Sequence, residues 1–552
     1  MNWKKGFQVS TLKWWMLVSF SFFSIFSFSQ QLNIPLNTFY GNKAHELYVN
    51  DIFSDTLAQE ILNRNSHLAY KPVVESRVYL PKRIVDDSSK QYYWITRKIF
   101  QEHLFEIEEG PFWCSIDPVF NFEVGTDFSE KPLDLYYRNT RGFFIQGNIT
   151  SKFSFGTYLY ENQAQFISYQ DSAFRMRGEL YPNMINSTYN RQNAVVNGFA
   201  RTKPYKTDGL DYAMVGGYIS FSPVKQLNIQ FGQGAQFIGN GYRSILLSDN
   251  SGPYPYLKLN ANFWKGKIDY TANFTFMQNL VRYHEFTTTE STYQRKAGTF
   301  HYLSFTPHPK VQIGFFEGII WQRADSLGTK PFDYNFINPV IFVNTAIFGM
   351  SDPKRNSVIG LNISAQPARN LEIYSQFMVD DFKSNKWGMQ FGLKYFKMFG
   401  VKDLMAQVEY NYVSPFTYSF ENFRQNYSNN NLPLAHPKGA GFHEGIFIAQ
   451  YEIKRVFFNF KFNYYNYKLD ILTTDNYGTN IFNSDVNQTS GGQNANQYVF
   501  DLHLGYRFNK SYNLQFVTGI LFRDLQHPNF REQNTYIYVG LRTGLVNQYL
   551  DF

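Results

Sequence analysis

The chain has 552 residues, of which 19% are aromatic and 17% charged, with a formal net charge of +8 and a single cysteine, Cys114. One cysteine excludes a disulfide-stapled secreted scaffold, and the small net charge without a basic stripe excludes a nucleic-acid-binding surface. The charged fraction lies below the roughly 25% of an average soluble domain, yet the mean hydropathy is −0.38. This composition indicates a protein that exposes aromatic side chains to an apolar environment without long apolar segments.

The first thirty residues have the parts of a secretory signal peptide. Three lysines precede an uncharged apolar run from Trp14 to Phe28. This run is shorter than the roughly 20 residues of a membrane-spanning helix. Small residues at Ser27 and Ser29 predict cleavage before Gln30. We therefore expect residues 1–29 to be a signal peptide, and its removal lowers the formal charge from +8 to +5.

Residues 30–130 differ from the rest of the chain because few alternating runs occur there. A helical pattern, with apolar residues separated by polar ones, extends from Ala44 to Asn65. We predict a small, partly helical N-terminal segment that forms a periplasmic cap or a plug of a barrel lumen.

From about residue 140 onward, apolar and polar residues alternate in segments of about ten residues, the length of a tilted membrane-spanning strand. In KIDYTANFTF, residues 267–276, every second residue is polar, whereas a helix would mix the two sets. Further segments of this kind lie at 371–380, 387–395, 404–412, 458–464 and 498–508. In the last of them, Asp501, His503 and Arg507 are predicted to face inward.

Short and long connections are interspersed between these segments, as in outer-membrane barrels with short periplasmic turns and long outer loops. Short ones lie at 222–226, 365–370 and 508–511, and long polar ones at 422–441 and 473–496. We predict an all-β fold in which residues 131–552 form a transmembrane antiparallel β-barrel of about 16 to 18 strands. A soluble β-sandwich or propeller is the alternative.

The predicted location is the outer membrane of a Gram-negative bacterium, where membrane lipid is the first partner. The sequence closes on Phe552, and a terminal aromatic residue is typical of strands that the barrel-assembly machinery recognises.

Several segments of the chain resemble the Wzi-like family of capsule-assembly outer-membrane proteins, in the branch that includes the gliding-motility protein RemB. The resemblance spans most of the mature chain and rests above all on GQGAQFIGNGYRSILLSDNSGPYPYLKL at 232–259. Shorter matching segments are SHLAYKP, IDPVFNFEVG, NTRGFFIQGNI and YENQAQF. The resemblance implies a barrel with a helical N-terminal part that helps block the lumen, and a role in holding surface polysaccharide or in gliding.

The block at 232–259 also supplies candidate polysaccharide-binding residues. Flat aromatic faces suit sugar C–H surfaces and planar polar groups suit hydroxyls, which makes Arg243, Asp249, Tyr254 and Tyr256 the candidates. The alternative for the two charged residues is a salt bridge in the lumen. The glycines of the block allow either tight barrel packing or close approach of a plug or ligand.

No motif for catalysis or cofactor binding stands out. QFGQGAQF lacks the third glycine of a dinucleotide loop, and HEGIF lacks the second histidine of a zinc-protease helix. There is no GxSxG elbow, and Cys114 beside Trp113 is typical of a small packing residue. We therefore expect no enzyme activity, no cofactor and no metal site.

Two functions fit these predictions. The first is a non-catalytic barrel that organises or retains surface polysaccharide and takes part in gliding, with the polysaccharide and gliding or secretion proteins as partners. The second is a porin-like channel for small solutes, for which long polar loops and inward charges are equally suited.

Overall fold

The computed structural model describes residues 31–53, 68–77, 93–129, 134–182, 189–199, 201–283, 293–325, 328–472, 474–544 and 546–552. The predicted signal peptide lies outside the described residues.

Eighteen strands form a closed barrel in which each strand pairs antiparallel with its neighbours and the last strand pairs with the first. This barrel confirms the predicted fold class, and its eighteen strands equal the upper end of the predicted range of 16 to 18. The strands are β1 Phe112–Asp127, β2 Leu135–Thr150, β3 Phe153–Gln165, β4 Gly209–Val224, β5 Leu227–Gly234, β6 Tyr254–Phe263, β7 Ile268–Arg282, β8 Tyr293–His308, β9 Val311–Gln322, β10 Arg355–Ala368, β11 Leu371–Asp381, β12 Lys386–Phe396, β13 Leu404–Val413, β14 Phe442–Ile453, β15 Val456–Lys468, β16 Asn494–Asn509, β17 Leu514–His527 and β18 Phe530–Thr543.

Alternation along the strands places apolar side chains on the outer face of the barrel. On β11, Ile373 and Phe377 are exposed outward, whereas Glu372, Tyr374 and Gln376 are buried in the lumen. The same division holds along β12 and β16, where Arg507 points inward as predicted. An apolar outer face and a polar inner face are what a strand needs to cross a membrane around a polar lumen.

The connections follow the predicted division between two ends of the barrel. Short turns at one end include 225–226, 369–370 and 510–513, which marks it as the periplasmic end by the general rule for outer-membrane barrels. Long connections at the other end include 414–441 and 469–493.

Two predicted boundaries differ from the structure. The barrel begins at Phe112 and not at residue 131, because β1 is required to pair with both β2 and β18 and so to close the sheet. The predicted helix corresponds to α1, Thr38–Asp51, while residues 54–67 lie outside the described residues. Among the helices that the structure describes, none is long and apolar enough to cross a membrane.

The lumen is filled by four segments, which we name by their residues. They are the plug (residues 31–53 and 68–77), loop A (235–253), loop B (414–441) and the tail (546–552). Loops A and B leave the long-loop end and fold back into the lumen, where most of their side chains are buried. The tail follows β18 and also turns inward, so Phe552 packs in the lumen against Tyr169 and Phe174 and does not belong to a barrel strand.

Tyr169 and Phe174 belong to α3, Ser168–Arg175, in the connection between β3 and β4; α2 spans Trp94–Phe100 and precedes the barrel.

One connection lies on the outer face of the barrel wall and not in the lumen. Residues 328–354, here called the flap, join β9 to β10 and cover the outer face of β7 to β9. Phe336 of the flap is buried against Phe274, Ala297 and Trp321, which all point outward from the barrel. The flap also contains α4, Val343–Phe348, and exposes apolar side chains outward, among them Ile337 and Ile347.

A buried carboxylate holds the flap. Glu317 points outward about halfway along β9, yet it is fully buried because the flap covers it. Its oxygens accept hydrogen bonds from the backbone N–H groups of Phe342 and Thr345, at 2.8 and 3.2 Å. The Thr345 hydroxyl donates to the same carboxylate. A charged side chain at this depth is costly in lipid unless it is paired, so the flap and Glu317 depend on each other.

We expect Glu317→Leu to release α4 from the wall, because each buried N–H group that loses its acceptor costs about 1–3 kcal/mol. Hydrogen exchange of the Phe342 and Thr345 amides, measured by mass spectrometry in detergent micelles, is expected to accelerate about tenfold or more. Glu161→Leu is the matched control, since Glu161 is exposed on the outer face of β3. Unchanged exchange in the Glu317 variant would show that the flap is held by its apolar contacts alone.

Candidate functional site in the barrel lumen

Loop A is held across the lumen by carboxylates on two strands. Asn240 donates to Glu372 of β11 at 2.5 Å. The backbone N–H groups of Tyr242 and Arg243 donate to Glu409 of β13 at 2.7 and 3.1 Å. These acceptors lie on inward positions of their strands, so the alternation that builds the barrel also places the groups that hold its filling.

Gly241 shows how closely loop A approaches this wall. A Cβ atom at Gly241 would lie 2.5 Å from Glu409 Oε2, and one at Gly239, whose φ is +125°, would lie 2.2 Å from Gln376 Nε2. Both glycines are therefore required by the close approach of loop A to the barrel wall, and the atoms that a Cβ atom there would approach belong to loop A itself and to barrel strands, not to the plug.

Arg243 is the centre of a fully buried ion cluster. Its guanidinium lies 3.2 Å from Glu444 of β14 and 2.9 Å from Asp551 of the tail, and it donates to the Tyr465 hydroxyl at 2.9 Å. Glu444 also contacts His436 of loop B at 2.6 Å. The cluster thus joins loop A, loop B, the tail and the wall at one point.

The tail is bound by charge at a second position. Asp551 lies 2.9 Å from the Lys461 ammonium group. Burial alone would raise the pKa of the Asp551 carboxyl, but Arg243 and Lys461 outweigh burial and hold that pKa well below its ordinary value. Two cations therefore share one carboxylate inside the lumen.

Asp249 of loop A binds the tail through hydrogen bonds. It accepts hydrogen bonds from the Tyr549 hydroxyl at 2.8 Å and from the Asn547 amide at 3.1 Å. Asn547 in turn accepts from the Thr38 backbone N–H at 2.9 Å, which connects the tail to the plug. Asp249 also lines a small cavity of about 70 Å³ between the plug and loop A.

The four predicted polysaccharide-binding residues all lie in the lumen filling or its wall. Arg243 forms the lumen salt bridges considered as the alternative, with Glu444 and Asp551, whereas Asp249 accepts hydrogen bonds from Tyr549 and Asn547 and is not paired with Arg243. Tyr254 and Tyr256 are inward residues of β6, and Tyr254 packs in the large apolar cluster around Tyr70 and loop A. Direct binding of polysaccharide by these four residues stays a prediction.

A second, larger cavity lies lower in the lumen, toward the short-turn end. Its volume is about 390 Å³, within the range of about 300–1,000 Å³ that is usual for ligand sites. Its lining combines aromatic rings with amide and hydroxyl groups. Examples are Tyr160, Tyr212, Tyr538, Asn121, Thr140 and Gln515. The tail forms part of the lining through Val546, Asn547, Gln548, Leu550 and Asp551.

Most charged groups of this cavity are paired with one another. Arg138 lies 3.5 Å from Glu123, Arg507 lies 2.8 Å from Glu452, and Lys43 of α1 lies 2.6 Å from Asp403. Lys461 contacts both Asp501 and Asp551. Such a lining offers hydrogen-bonding groups and aromatic faces at fixed positions, which is the chemistry that a saccharide needs.

Within the described ranges, no three His, Cys, Asp or Glu side chains are grouped as metal ligands would be.

Sequence reasoning placed Asp501, His503 and Arg507 inward, and all three line this cavity. It missed Glu409, Glu444 and the tail. The available signal for the two glutamates was their polar position in alternating segments, but no local pattern indicates which residue of loop A they contact. For the tail, Asp551 was a signal, because a lipid-facing terminal strand disfavours a carboxylate.

A comparison of the chain with models of known protein families identifies its family. The family model described as capsule assembly protein Wzi matches residues 139–519, more than half of the chain. The chain belongs to the Wzi capsule assembly family. The match begins in β2 and ends in β17, so it contains loop A, loop B, the flap and most strands that line the cavity.

Three solved structures of outer-membrane proteins are similar to this chain. Wzi of Escherichia coli, described as a carbohydrate-binding β-barrel involved in group 1 capsule assembly, is 11% identical with a TM-score of 0.49, over 92% of this chain and 99% of that one. OprD of Pseudomonas aeruginosa is 9% identical with a TM-score of 0.41, over 78% and 94%. OccAB2 of Acinetobacter baumannii is 10% identical with a TM-score of 0.40, over 78% and 97%. These similarities are too low to transfer a function.

A search of curated protein sequences gave no match.

The ion cluster predicts that the tail stabilises the Wzi-family barrel. We expect Asp551→Asn to lower the free energy of unfolding by about 3 kcal/mol, because it leaves buried cations without one of their carboxylates. Urea unfolding in lipid vesicles, followed by tryptophan fluorescence, measures the change. The matched control is Asp524→Asn, whose partner Arg531 is 58% exposed, so a much smaller change is expected. Equal effects of the two substitutions would contradict the role of the tail.

Proposed function

We propose that this protein is a non-catalytic outer-membrane barrel that binds carbohydrate and organises capsule-type polysaccharide. Membership of the Wzi capsule assembly family supports the capsule role. The single structural observation that supports carbohydrate binding is the cavity of about 390 Å³, with its aromatic rings, amides and hydroxyls at fixed positions. E. coli Wzi, which is described as carbohydrate-binding, is a precedent for this chemistry in a barrel.

The position of the cavity determines the side from which a saccharide reaches it. Lys397 and Asp403 on the β12–β13 turn belong to its lining, as do Lys43 and Glu46 of α1. These residues lie at the short-turn end, and short turns are periplasmic in outer-membrane barrels. We propose that the site binds a polysaccharide segment from the periplasmic side, which retains the polymer at the membrane.

Arg243, Asp249, Tyr254 and Tyr256 have an indirect role in this proposal. Arg243 and Asp249 bind Asp551, Tyr549 and Asn547 of the tail, and the tail lines the cavity. The tyrosines pack the wall and the loop above it. All four residues would then shape the carbohydrate site without contacting its ligand.

A role in gliding is a second candidate, for which the support is the resemblance of the block at 232–259 to the gliding-motility branch of the family. Gliding or secretion proteins would be partners only in that case. The same strains test both candidates.

Filling the cavity is expected to release polysaccharide from the cell. Thr140→Trp adds a large ring at an inward position of β2, where tryptophan is also compatible with a strand. A deletion strain that produces this variant is expected to release polysaccharide as the deletion strain itself does, measured as attached against released glycan beside colony spreading. Thr157→Trp, at an outward position of β3, is the matched control and is expected to restore attachment.

Normal attached glycan with impaired spreading would move the function to motility. Normal glycan with normal spreading in the deletion strain would overturn both candidates and favour the porin alternative.

The porin alternative predicts an open lumen, whereas the plug, loops A and B and the tail fill this one. We expect the purified protein in a planar lipid bilayer to conduct far less than an open barrel of eighteen strands, because porins of 16 to 18 strands leave an aqueous channel. A porin of 16 to 18 strands with an open channel is the reference in the same bilayer. Steady conductance at the level of the reference would contradict the proposed function.

A further inference from the structure

Arg542 differs from most of the cations that line the cavity. It is an inward residue of β18 and lines the cavity. Arg138, Arg507, Lys43 and Lys461 each have a carboxylate within 4.0 Å. Within the part of the chain that the structure describes, no carboxylate lies in salt-bridge distance of Arg542. Its guanidinium is therefore a charged group of the cavity without a partner of opposite charge.

The neighbours of Arg542 do not neutralise it. Its direct partners in the sheet are Gln515 on β17 and Asn121 on β1, and both line the cavity. Amides donate and accept hydrogen bonds but carry no charge. Tyr538 lies on the same face of β18 and also lines the cavity. The wall around Arg542 thus combines one cation, two amides and one aromatic ring.

We propose that this wall is a subsite for a carboxylated sugar, such as a hexuronic acid unit, with Arg542 as the residue that binds the carboxylate. The proposal rests on the proposed carbohydrate-binding function and names the substrate class of that site. A guanidinium pairs with a carboxylate through two parallel hydrogen bonds, a geometry that a lysine cannot reproduce. The amides of Asn121 and Gln515 suit the sugar hydroxyls, and the ring of Tyr538 suits the apolar face of a pyranose.

An unpaired arginine in a partly closed cavity is costly for the free protein, because a cation loses hydration there and gains no counter-charge. A carboxylated ligand supplies that charge, so its affinity is increased by the ion pair with the Arg542 guanidinium, which has no counter-charge in the free protein. A neutral sugar of the same shape would occupy the cavity without this gain. Arg542 therefore acts as a specificity-determining residue for acidic over neutral saccharides.

The test uses oligosaccharides released by mild hydrolysis from the surface polysaccharide of the producing strain, and the same oligosaccharides after chemical reduction of their carboxyl groups. Binding to the purified barrel in detergent is measured by calorimetry. The native protein is expected to bind the reduced form about tenfold more weakly, the usual size of a charged hydrogen-bonded contact. Arg542→Gln is expected to remove this difference, and Arg542→Lys to retain part of it.

Arg369→Gln is the matched control, since Arg369 is exposed on a short turn at the same end of the barrel and does not line the cavity. Heat-modifiable mobility in electrophoresis shows that each variant is a folded barrel. Equal binding of both forms by the native protein would overturn the acidic subsite and leave carbohydrate binding intact. Failure of both forms to bind the native protein would instead overturn the proposed function.

Discussion

The contact on which the lumen depends is the one between Arg243 and its two carboxylates, Glu444 and Asp551. All three groups are fully buried, so each is stable only while the others are in place. They come from loop A, from a barrel strand and from the tail, which are far apart in sequence. Glu444 extends the contact to His436 of loop B. One ion cluster thereby fixes three lumen segments to the wall, and two of them, the tail and loop A through Tyr242, contribute to the lining of the cavity below.

Period-two alternation predicted the barrel, its size and its inward charges because the pattern is a local property of each strand. Turn lengths similarly predicted that short and long connections lie at opposite ends of the barrel. The lumen filling was not predictable in this way, since Arg243 contacts a residue 201 positions away in Glu444. Asp249 was likewise chosen as a candidate binding residue from the residue types near it in the sequence. Its hydrogen bonds to Asn547 and Tyr549 of the tail could not be predicted from that pattern.

The flap shows the reverse situation, in which a local pattern is overridden by a tertiary contact. Glu317 and His301 occupy outward positions where alternation predicts apolar side chains, and both are fully buried. The flap satisfies Glu317 with backbone N–H groups and presents its own apolar residues outward. At Glu317 and His301, polar residues on the outward side of the strands therefore lie where another segment covers the wall. The sequence contains this signal at Glu317, but it does not reveal which segment forms the cover.

The tail couples the ion cluster to the cavity. Asp551 belongs to both, because it pairs with Arg243 and Lys461 and also lines the cavity, together with Leu550 and Gln548. A ligand that contacts these residues binds only when the tail is in place, and a ligand that binds only one arrangement stabilises it by mass action. Occupation of the cavity and stability of the lumen filling are therefore thermodynamically linked. By the same linkage, a loosely held tail would lower the apparent affinity for any ligand that contacts it.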